Sequence, residues 1–200
     1  MLSKQDATPT PLRAVERPIS QDDTALLRRV AAGDLRAFES LYRAYHPRLS
    51  RFLMNMTRRP QIVEEVLNDT LLVIWNRPDS FHGRSKLSTW IFGIAYRKAL
   101  KALRRQDQPI EDEQAEARPS LEILADEQLE RNQVSLLLSK AISGLSPEQR
   151  AVVDLCYFSE LGYREIAEIV DCPVDTVKTR MFHARRHLKA RLPGELTDWL

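Results

Sequence analysis

The side chains best suited to bind a ligand are basic residues near the carboxyl end of the sequence. Between Thr176 and Arg191 the chain contains no acidic residue. The basic side chains of this run are Lys178, Arg180, Arg185, Arg186, Lys189 and Arg191. Such groups bind phosphates and base edges, whereas a solvated helix face usually mixes both signs of charge. The run therefore indicates a DNA-binding helix, and a helical hairpin with a merely solvated charged face is the alternative.

Two predicted helices position these cations. The apolar residues of the first are Ile166, Ala167, Ile169 and Val170, at helical spacing. Asp171, Cys172 and Pro173 end it, because the residue before a proline avoids the α region. A second helix restarts near Val174, with an inner stripe of Val177, Met181, Ala184 and Leu188. Two helices on a short turn form a helix-turn-helix, whose second helix enters the major groove.

Charge is strongly segregated along the chain, although the net charge of its 200 residues is only +2. Residues 97–105 carry several basic side chains and no acid. Residues 107–130 carry nine acidic residues against the single Arg118. Two basic segments separated by an acidic one indicate two nucleic-acid-facing modules and a connector that avoids phosphates.

The composition argues against a metalloprotein or an enzyme. Cys156 and Cys172 lack Cys or His partners at metal-ligand spacing, so we interpret them as small core or turn residues. His183 and His187 could form an i, i+4 metal pair, but polar positions on a DNA-facing helix are the preferred interpretation. The chain shows neither a glycine-rich phosphate loop nor a nucleophile–base signature. We expect no catalysis, no metal and no cofactor.

A cytoplasmic location is expected from the hydropathy of the sequence. Its apolar runs are shorter than the roughly 18 residues of a membrane span. Residues 1–21 are polar and contain Pro9, Pro11 and Pro18, unlike the apolar core of a signal peptide. We therefore expect a soluble protein with a disordered N-terminal tail and no membrane insertion of its own.

Residues 22–106 are predicted to form a first all-helical domain. Asp34 should cap a long helix in which Pro47 produces a kink without ending the apolar stripe. A third helix is expected over residues 61–75 and a loop over residues 76–88. Ser88 is predicted to cap the fourth helix, residues 89–105.

A second helical domain is predicted over residues 133–192, after an acidic flexible linker at residues 107–132. Ser146, Pro147 and Gln149 give a capping box at one of its helix starts. Residues 193–200 are a tail. The expected fold class is therefore all-α, with two small helical domains and a helix-turn-helix in the second.

Three segments, at residues 64–75, 81–105 and 145–185, resemble a bacterial sigma factor of RNA polymerase. The first holds two acids and the amide–acid pair Asn68–Asp69 before an apolar run ending in Trp75. The second is an aromatic and basic loop with the helix behind it, and the third contains the helix-turn-helix. In this order, with an acidic linker between them, they are similar to the extracytoplasmic-function (ECF) group of the sigma-70 family. The resemblance covers about residues 22–192.

The chain departs from the pattern of that group at several positions. Asn68–Asp69 stands where Gln–Glu is usual, so each side chain is one methylene shorter. Arg97 stands where the group often has Asn, and Lys101 where it often has an acid, which makes the fourth helix more basic than is typical. Asp175 stands where Gly is common, and His183 where a basic residue is common.

The resemblance implies a factor that binds core RNA polymerase and promoter DNA and is held inactive by an anti-sigma factor. The residues expected to bind the polymerase are Glu65, Asn68 and Asp69, at i, i+3 and i+4 on one helix face. Without the resemblance, a solvated acidic face would be the preferred interpretation. Trp75 is expected in the core.

Two further groups of residues are expected to contact the promoter. Those for the minus-ten element are Phe81, Arg84, Ser85, Lys86, Trp90, Tyr96, Arg97, Lys98, Lys101, Arg104 and Arg105. Those for the minus-thirty-five element are Asp175, Thr176, Lys178, Thr179, Arg180, His183, Arg185, Arg186 and Lys189. Trp90 is equally compatible with a core position. Asp175 could accept from a cytosine amino group, but capping its helix is the preferred interpretation.

A stand-alone transcriptional regulator is the alternative function. The helix-turn-helix by itself fits such a protein equally well. The acidic helix and the aromatic–basic loop favour the sigma factor, because a ligand-sensing first domain would not need them.

Overall fold

The structure is a computed structural model that describes residues 22–107 and 140–192. Four helices form an N-terminal bundle: α1 (Asp22–Ala31), α2 (Leu35–Thr57), α3 (Pro60–Asn76) and α4 (Leu87–Asp107). A short 3-10 helix, Pro78–Ser80, lies between α3 and α4. The all-α prediction is confirmed, since the described residues form helices, turns and bends but no strand.

Local sequence explains where these helices begin and end. Asp34 caps α2, accepting hydrogen bonds from the backbone N–H of Arg36 at 2.9 Å and of Ala37 at 3.1 Å. Gly33 allows the turn before it, because its φ of 82° is strained for a residue with a Cβ. Pro47 lies inside α2 without ending it, as the continuous apolar stripe predicted. Pro60 occupies the first turn of α3, where its missing N–H costs no hydrogen bond.

The prediction that Ser88 caps the fourth helix is wrong. α4 begins at Leu87, and Ser88 lies buried inside its first turn. The Trp90 N–H donates to the Lys86 carbonyl at 3.2 Å, which places the start of the helix before Ser88. A serine is a strong cap only outside the helical turn, and tertiary packing places this one within it.

The C-terminal bundle comprises residues 140–192. After the helical residues 140–143 it contains α5 (Pro147–Tyr157), α6 (Tyr163–Val170) and α7 (Val174–Lys189). The predicted capping box of α5 is confirmed: Ser146 Oγ accepts from the Gln149 N–H at 3.2 Å, and Gln149 Oε1 accepts from the Ser146 N–H at 3.0 Å. α6, a turn ending in Pro173, and α7 form the predicted helix-turn-helix.

The two bundles pack against each other. α5 lies against α2, and α6 lies against α4. Buried side chains from both bundles belong to one continuous apolar cluster, from Leu27 in α1 to Leu192 after α7. The predicted tails at residues 1–21 and 193–200, and the linker apart from Asp107, lie outside the described residues. No helix within the described ranges is long and apolar enough to cross a membrane.

Asp34 gives the fold a testable dependence on pH. Its hydrogen bond from Arg29, at 2.7 Å, and those from the backbone lower the pKa of the carboxyl group below 3.8. A depressed folded-state pKa contributes stability above the unfolded value and loses it as the pH falls through the folded value. We therefore expect Asp34→Asn, which keeps a capping oxygen, to be less stable than the wild type at pH 7.

The difference in stability should shrink as the pH is lowered from 5 to about 2. Urea unfolding followed by circular dichroism across this range measures it. A difference that stayed constant with pH would show that Asp34 acts only as a neutral cap.

Candidate nucleic-acid interface

The outward face of α7 presents a mixed set of polar and basic groups to solvent. Thr176, Arg180 and Arg185 are half-buried on its flanks. The predicted minus-thirty-five residues that are exposed are Asp175, Lys178, Thr179, His183, Arg186 and Lys189. The stripe of Val177, Met181, Ala184 and Leu188 is buried, as predicted, and attaches the helix to the bundle.

Arg185 is turned towards the interior of its own bundle. Its Nε donates to the Tyr157 hydroxyl at 3.0 Å, and its guanidinium lies 5.7 Å from the centre of the Tyr157 ring. A hydrogen bond and a cation–π contact hold α7 on α5 at this point. Arg186, the next residue, is exposed. The two adjacent arginines thus have different surroundings, although the sequence pattern predicted the same role for both.

Arg180 faces the N-terminal bundle. Its guanidinium lies 3.8 Å from Cys172 Sγ. Burial raises the pKa of Tyr96 in α4, and the positive charge of Arg180 acts on that hydroxyl in the opposite direction. Arg180 is therefore close to a residue of the predicted minus-ten group.

Asp175 does not cap α7, so the preferred interpretation of this residue is wrong. The capping position is taken by Pro173, whose ring offers no acceptor. Asp175 lies in the first turn with its side chain exposed, where Lys178 Nζ approaches its Oδ1 at 3.2 Å. An acid there still interacts favourably with the helix dipole. Its carboxylate is accessible to a ligand approaching the start of α7.

Phe182 is a candidate contact that the sequence reasoning did not single out. Its side chain is 61% exposed. It lies one turn after Lys178 and one turn before Arg186, on the basic face of α7. The signal was present in the sequence, since a large aromatic residue falls outside the buried stripe. An exposed apolar group in this position can contact the methyl group of thymine.

The loop before α4 holds the first of the predicted minus-ten residues. The rings of Phe81 and Trp90 lie 5.5 Å apart, and both are half-buried. Arg84 is exposed, and Ser85 is half-buried. Lys86 forms an ion pair of 2.6 Å with Glu165 of α6. The loop is therefore in contact with the helix-turn-helix.

Along α4 itself, the cations and the aromatic ring have different environments. Tyr96 is only 2% exposed, so it offers little surface to a ligand in this packing. The exposed cations of the helix are Arg97, Lys101, Arg104 and Arg105, and Lys98 is half-buried. A basic strip thus remains on the outer side of α4, where it can follow a phosphate backbone.

The acidic face of α3 adjoins this strip. Arg105 donates to Glu65 at 2.9 Å, and Lys98 pairs with Asp69 at 2.8 Å. Asn68 is exposed between the two pairs. Exposed ion pairs contribute only about 0–1 kcal/mol, so a competing ligand can displace either partner.

Trp75, in the last turn of α3, packs edge-on against Phe38, with the ring centres 5.1 Å apart.

The Cys156 thiol is not activated by its surroundings. Burial raises the pKa of Cys156, which disfavours its thiolate. Among the described residues, no group of three or more His, Cys, Asp and Glu side chains is placed to hold a metal ion.

Comparison with known proteins accounts for both bundles. Residues 41–108 match the family Sigma-70 region 2, and residues 135–188 match the family Sigma-70, region 4. The chain is 30% identical over 173 residues to the ECF RNA polymerase sigma factor RpoE of Cereibacter sphaeroides, covering 86% of this chain and 95% of that protein. The chain belongs to the ECF sigma factor family.

Solved structures agree with this assignment. The sigma factor RpoE of Bartonella quintana, in complex with the anti-sigma factor NepR, is 25% identical, with a TM-score of 0.58. The comparison covers 78% of this sigma factor and 96% of that chain. CnrH, in complex with the cytosolic domain of CnrY, has a TM-score of 0.59 at 22% identity and covers 84% and 95% of the two chains, which shows a shared fold.

The contrast between Arg185 and Arg186 generates a prediction. Arg185→Ala should lower the free energy of unfolding by about 1–2 kcal/mol, because it removes the bond to Tyr157 and the cation–π contact. Arg186→Ala should leave stability within roughly 0.5 kcal/mol, as for most surface positions. It should instead weaken DNA binding and reduce the slope of log affinity against log salt concentration by about 1, as expected for the loss of one phosphate contact.

Thermal unfolding and binding titrations at several salt concentrations separate the two effects. Equal losses of DNA affinity with unchanged stability in both variants would show that Arg185 contacts phosphate after all.

Proposed function

We propose that this sigma factor binds core RNA polymerase, directs it to particular promoters and promotes opening of the DNA. The observation that carries the proposal is the placement of an acidic face, a basic aromatic segment and a helix-turn-helix on one chain. A stand-alone regulator would need only the last of these. The family assignment also disfavours that alternative.

The acidic face of α3 is the proposed polymerase-binding surface. Glu65, Asn68 and Asp69 lie on one side of the helix and are all exposed. Their current partners, Arg105 and Lys98, are weakly held at the surface. A basic surface on the polymerase could replace these partners. Polymerase binding would then free two cations of α4 for the phosphates of the promoter.

The loop at residues 81–86 and α4 are proposed to hold the unpaired minus-ten strand. Phe81 and Trp90 supply aromatic surface for a base, and Arg84 and Ser85 supply hydrogen-bonding groups. Stacking contributes on the order of 1–3 kcal/mol per base, so a few contacts offset the unpairing of a short A·T-rich segment. Melting by this route needs no nucleotide hydrolysis.

α7 is proposed to read the minus-thirty-five element in the major groove. Asp175, Lys178 and Thr179 lie near its N-terminal end, which contacts base edges in this docking mode. Phe182 and His183 follow on the same exposed side. Arg186 and Lys189 are placed to bind phosphates, which fix the orientation of the helix without specifying sequence.

An anti-sigma factor is the proposed regulator. The Bartonella relative was solved in complex with the anti-sigma factor NepR, and this chain covers nearly all of the matched sigma factor chain. An inhibitor that covered α3 and α4 would block both proposed surfaces at once, because the acidic face and the basic strip adjoin each other.

Promoter-directed transcription in vitro tests the proposal. Purified bacterial core polymerase should give specific transcripts only when this sigma factor is added. Asn68→Ala/Asp69→Ala should reduce them roughly tenfold or more, because charge-assisted contacts contribute about 1.5–3 kcal/mol each. Glu39→Ala is the matched control, since Glu39 is an exposed acid of α2 that lies outside the proposed face.

The proposal fails if the protein binds duplex DNA tightly without polymerase and never supports initiation. If Glu39→Ala and the double variant supported equal transcription, the α3 face would be rejected as the polymerase-binding surface, and the rest of the proposal would stand.

Phe182 generates a separate prediction about specificity. Phe182→Ala should relax the preference for A·T at one position of the minus-thirty-five element, by about 0.8 kcal/mol for the lost contact with one thymine methyl group, without changing the salt dependence of binding. Lys189→Ala is the control and should weaken all sequences alike. Selection of duplexes from a random library, repeated with each variant, gives the preference directly. An unaltered selected sequence for Phe182→Ala would remove this residue from base recognition.

A further inference from the structure

The loop between α2 and α3 consists of two residues, and both are arginines. Arg58 follows the last residue of α2, and its φ of 58° and ψ of 23° place it in the left-handed region. Its N–H donates to the Met54 carbonyl at 2.9 Å, which ends the helix. Arg59 is extended, as the residue before Pro60 must be.

The backbone conformation of Arg58 is costly for a residue with a Cβ. L-residues disfavour the left-handed region, and helices that end in this way most often have glycine or asparagine at this position. Such strained conformations cluster at functional sites, where the side chain is needed despite its cost. Arg58 is exposed, so its side chain is accessible to a ligand.

A third arginine lies beside this loop, although like charges repel each other. Arg150 of α5 donates to the Met56 carbonyl, in the last turn of α2, at 2.8 Å. Burial and the nearby charge of Arg58 lower the pKa of Arg150. Arg59 adds to this effect, and Glu148 opposes it. A bound phosphate would reduce the repulsion, because guanidinium groups donate two parallel hydrogen bonds to phosphate oxygens.

The loop is attached to the C-terminal end of α4. Arg59 Nη1 donates to Gln106 Oε1 at 2.9 Å. The last turn of α4 also carries Arg104 and Arg105, which are both exposed. The basic strip of α4 therefore continues past the end of that helix and onto the loop. We call Arg58, Arg59, Arg104 and Arg105 the arginine corner.

The arginine corner lies far from the loop that is proposed to hold the unpaired strand. α4 contains 21 residues, so it is about 32 Å long at roughly 1.5 Å per residue. Duplex DNA rises about 3.4 Å per base pair, so this length corresponds to roughly nine base pairs. The chain continues from this end of α4 to the helix-turn-helix, which places the corner on the side of the minus-thirty-five element.

We propose that the arginine corner binds backbone phosphates of the duplex between the two promoter elements. Its location on the promoter rests on the proposed function of α4 and α7, whereas the phosphate chemistry does not. Phosphate contacts position a protein on DNA without reading its sequence. The corner therefore strengthens binding to every promoter alike and holds the duplex next to the segment that is opened.

Arg58→Gly is the sharpest test, because its effects on stability and on DNA binding have opposite signs. Glycine adopts the left-handed conformation without strain, so the midpoint of thermal unfolding should rise by roughly 1–3 °C. Affinity for a short duplex should fall roughly five- to tenfold at about 0.1 M salt, and the slope of log affinity against log salt concentration should decrease by about 1. Arg58→Lys keeps the charge and should bind like the wild type.

Fluorescence anisotropy with the free, full-length chain measures these slopes without polymerase or a known promoter. Arg58→Gly/Arg59→Gln should reduce the slope by about 2, one for each lost phosphate contact. Arg43→Ala is the matched control, because Arg43 is an exposed arginine of α2 that pairs with Glu39, about four turns before Arg58. It removes one charge from the same helix and should leave the slope unchanged.

Promoter binding by the polymerase assembled with this sigma factor tests the location on the promoter. Uncharged methylphosphonate groups replace phosphates of the spacer, just upstream of the minus-ten element. This replacement should weaken binding roughly tenfold for the wild type and less than about twofold for Arg58→Gly/Arg59→Gln, whose contacts are already absent. The same groups placed upstream of the minus-thirty-five element are the control and should affect both proteins equally.

Equal slopes for the wild type, Arg58→Gly and the double variant overturn the phosphate site. That result is also expected if the acidic residues 107–130 occupied the corner in place of DNA. A lower unfolding midpoint of Arg58→Gly with unchanged DNA affinity would show that Arg58 is structural, and this also overturns the site. Spacer replacements that weaken the wild type and the double variant equally overturn the location. If the wild type supports no initiation but the slopes change as expected, the proposed function fails and the phosphate site stands.

Discussion

The burial of one face of α2 is the constraint on which the rest of the structure depends. This helix packs against α1, α3 and α4 of its own bundle and against α5 of the other. Leu49, Phe52 and Leu53 are completely buried in it. Each such side chain contributes about 1.5–3 kcal/mol on leaving water. The acidic face on α3 and the basic strip on α4 are held in place because both helices rest on this common support.

Helical periodicity was enough to predict most of the elements, together with the caps at Asp34 and Ser146, because these depend on residues within one turn. The failures have a different origin. Ser88 and Asp175 fit the local pattern of a cap, but the position of each helix was decided by packing. The Asn55–Asp154 bond joins residues 99 positions apart. In the sequence, each is only an isolated polar residue in a helix, so its partner could not be inferred.

Charged side chains on the proposed surfaces form ion pairs in which another charged group can replace one partner. Glu65 and Asp69 are matched by Arg105 and Lys98, and Lys86 is matched by Glu165. Such pairs are weak in water, yet they reduce the attraction of the free protein for any nucleic acid it meets. The number of basic residues in α4 therefore overstates the charge available before a partner binds. In the proposed function, a partner that binds one side of such a pair must first displace the other side.

Glu165 has two roles that use different oxygens. Its Oε2 accepts from the Gly162 N–H at 3.2 Å and completes the cap of α6, while its Oε1 pairs with Lys86. The bond within α6 does not depend on the other bundle, so the start of the helix-turn-helix would be kept if the ion pair with Lys86 were lost.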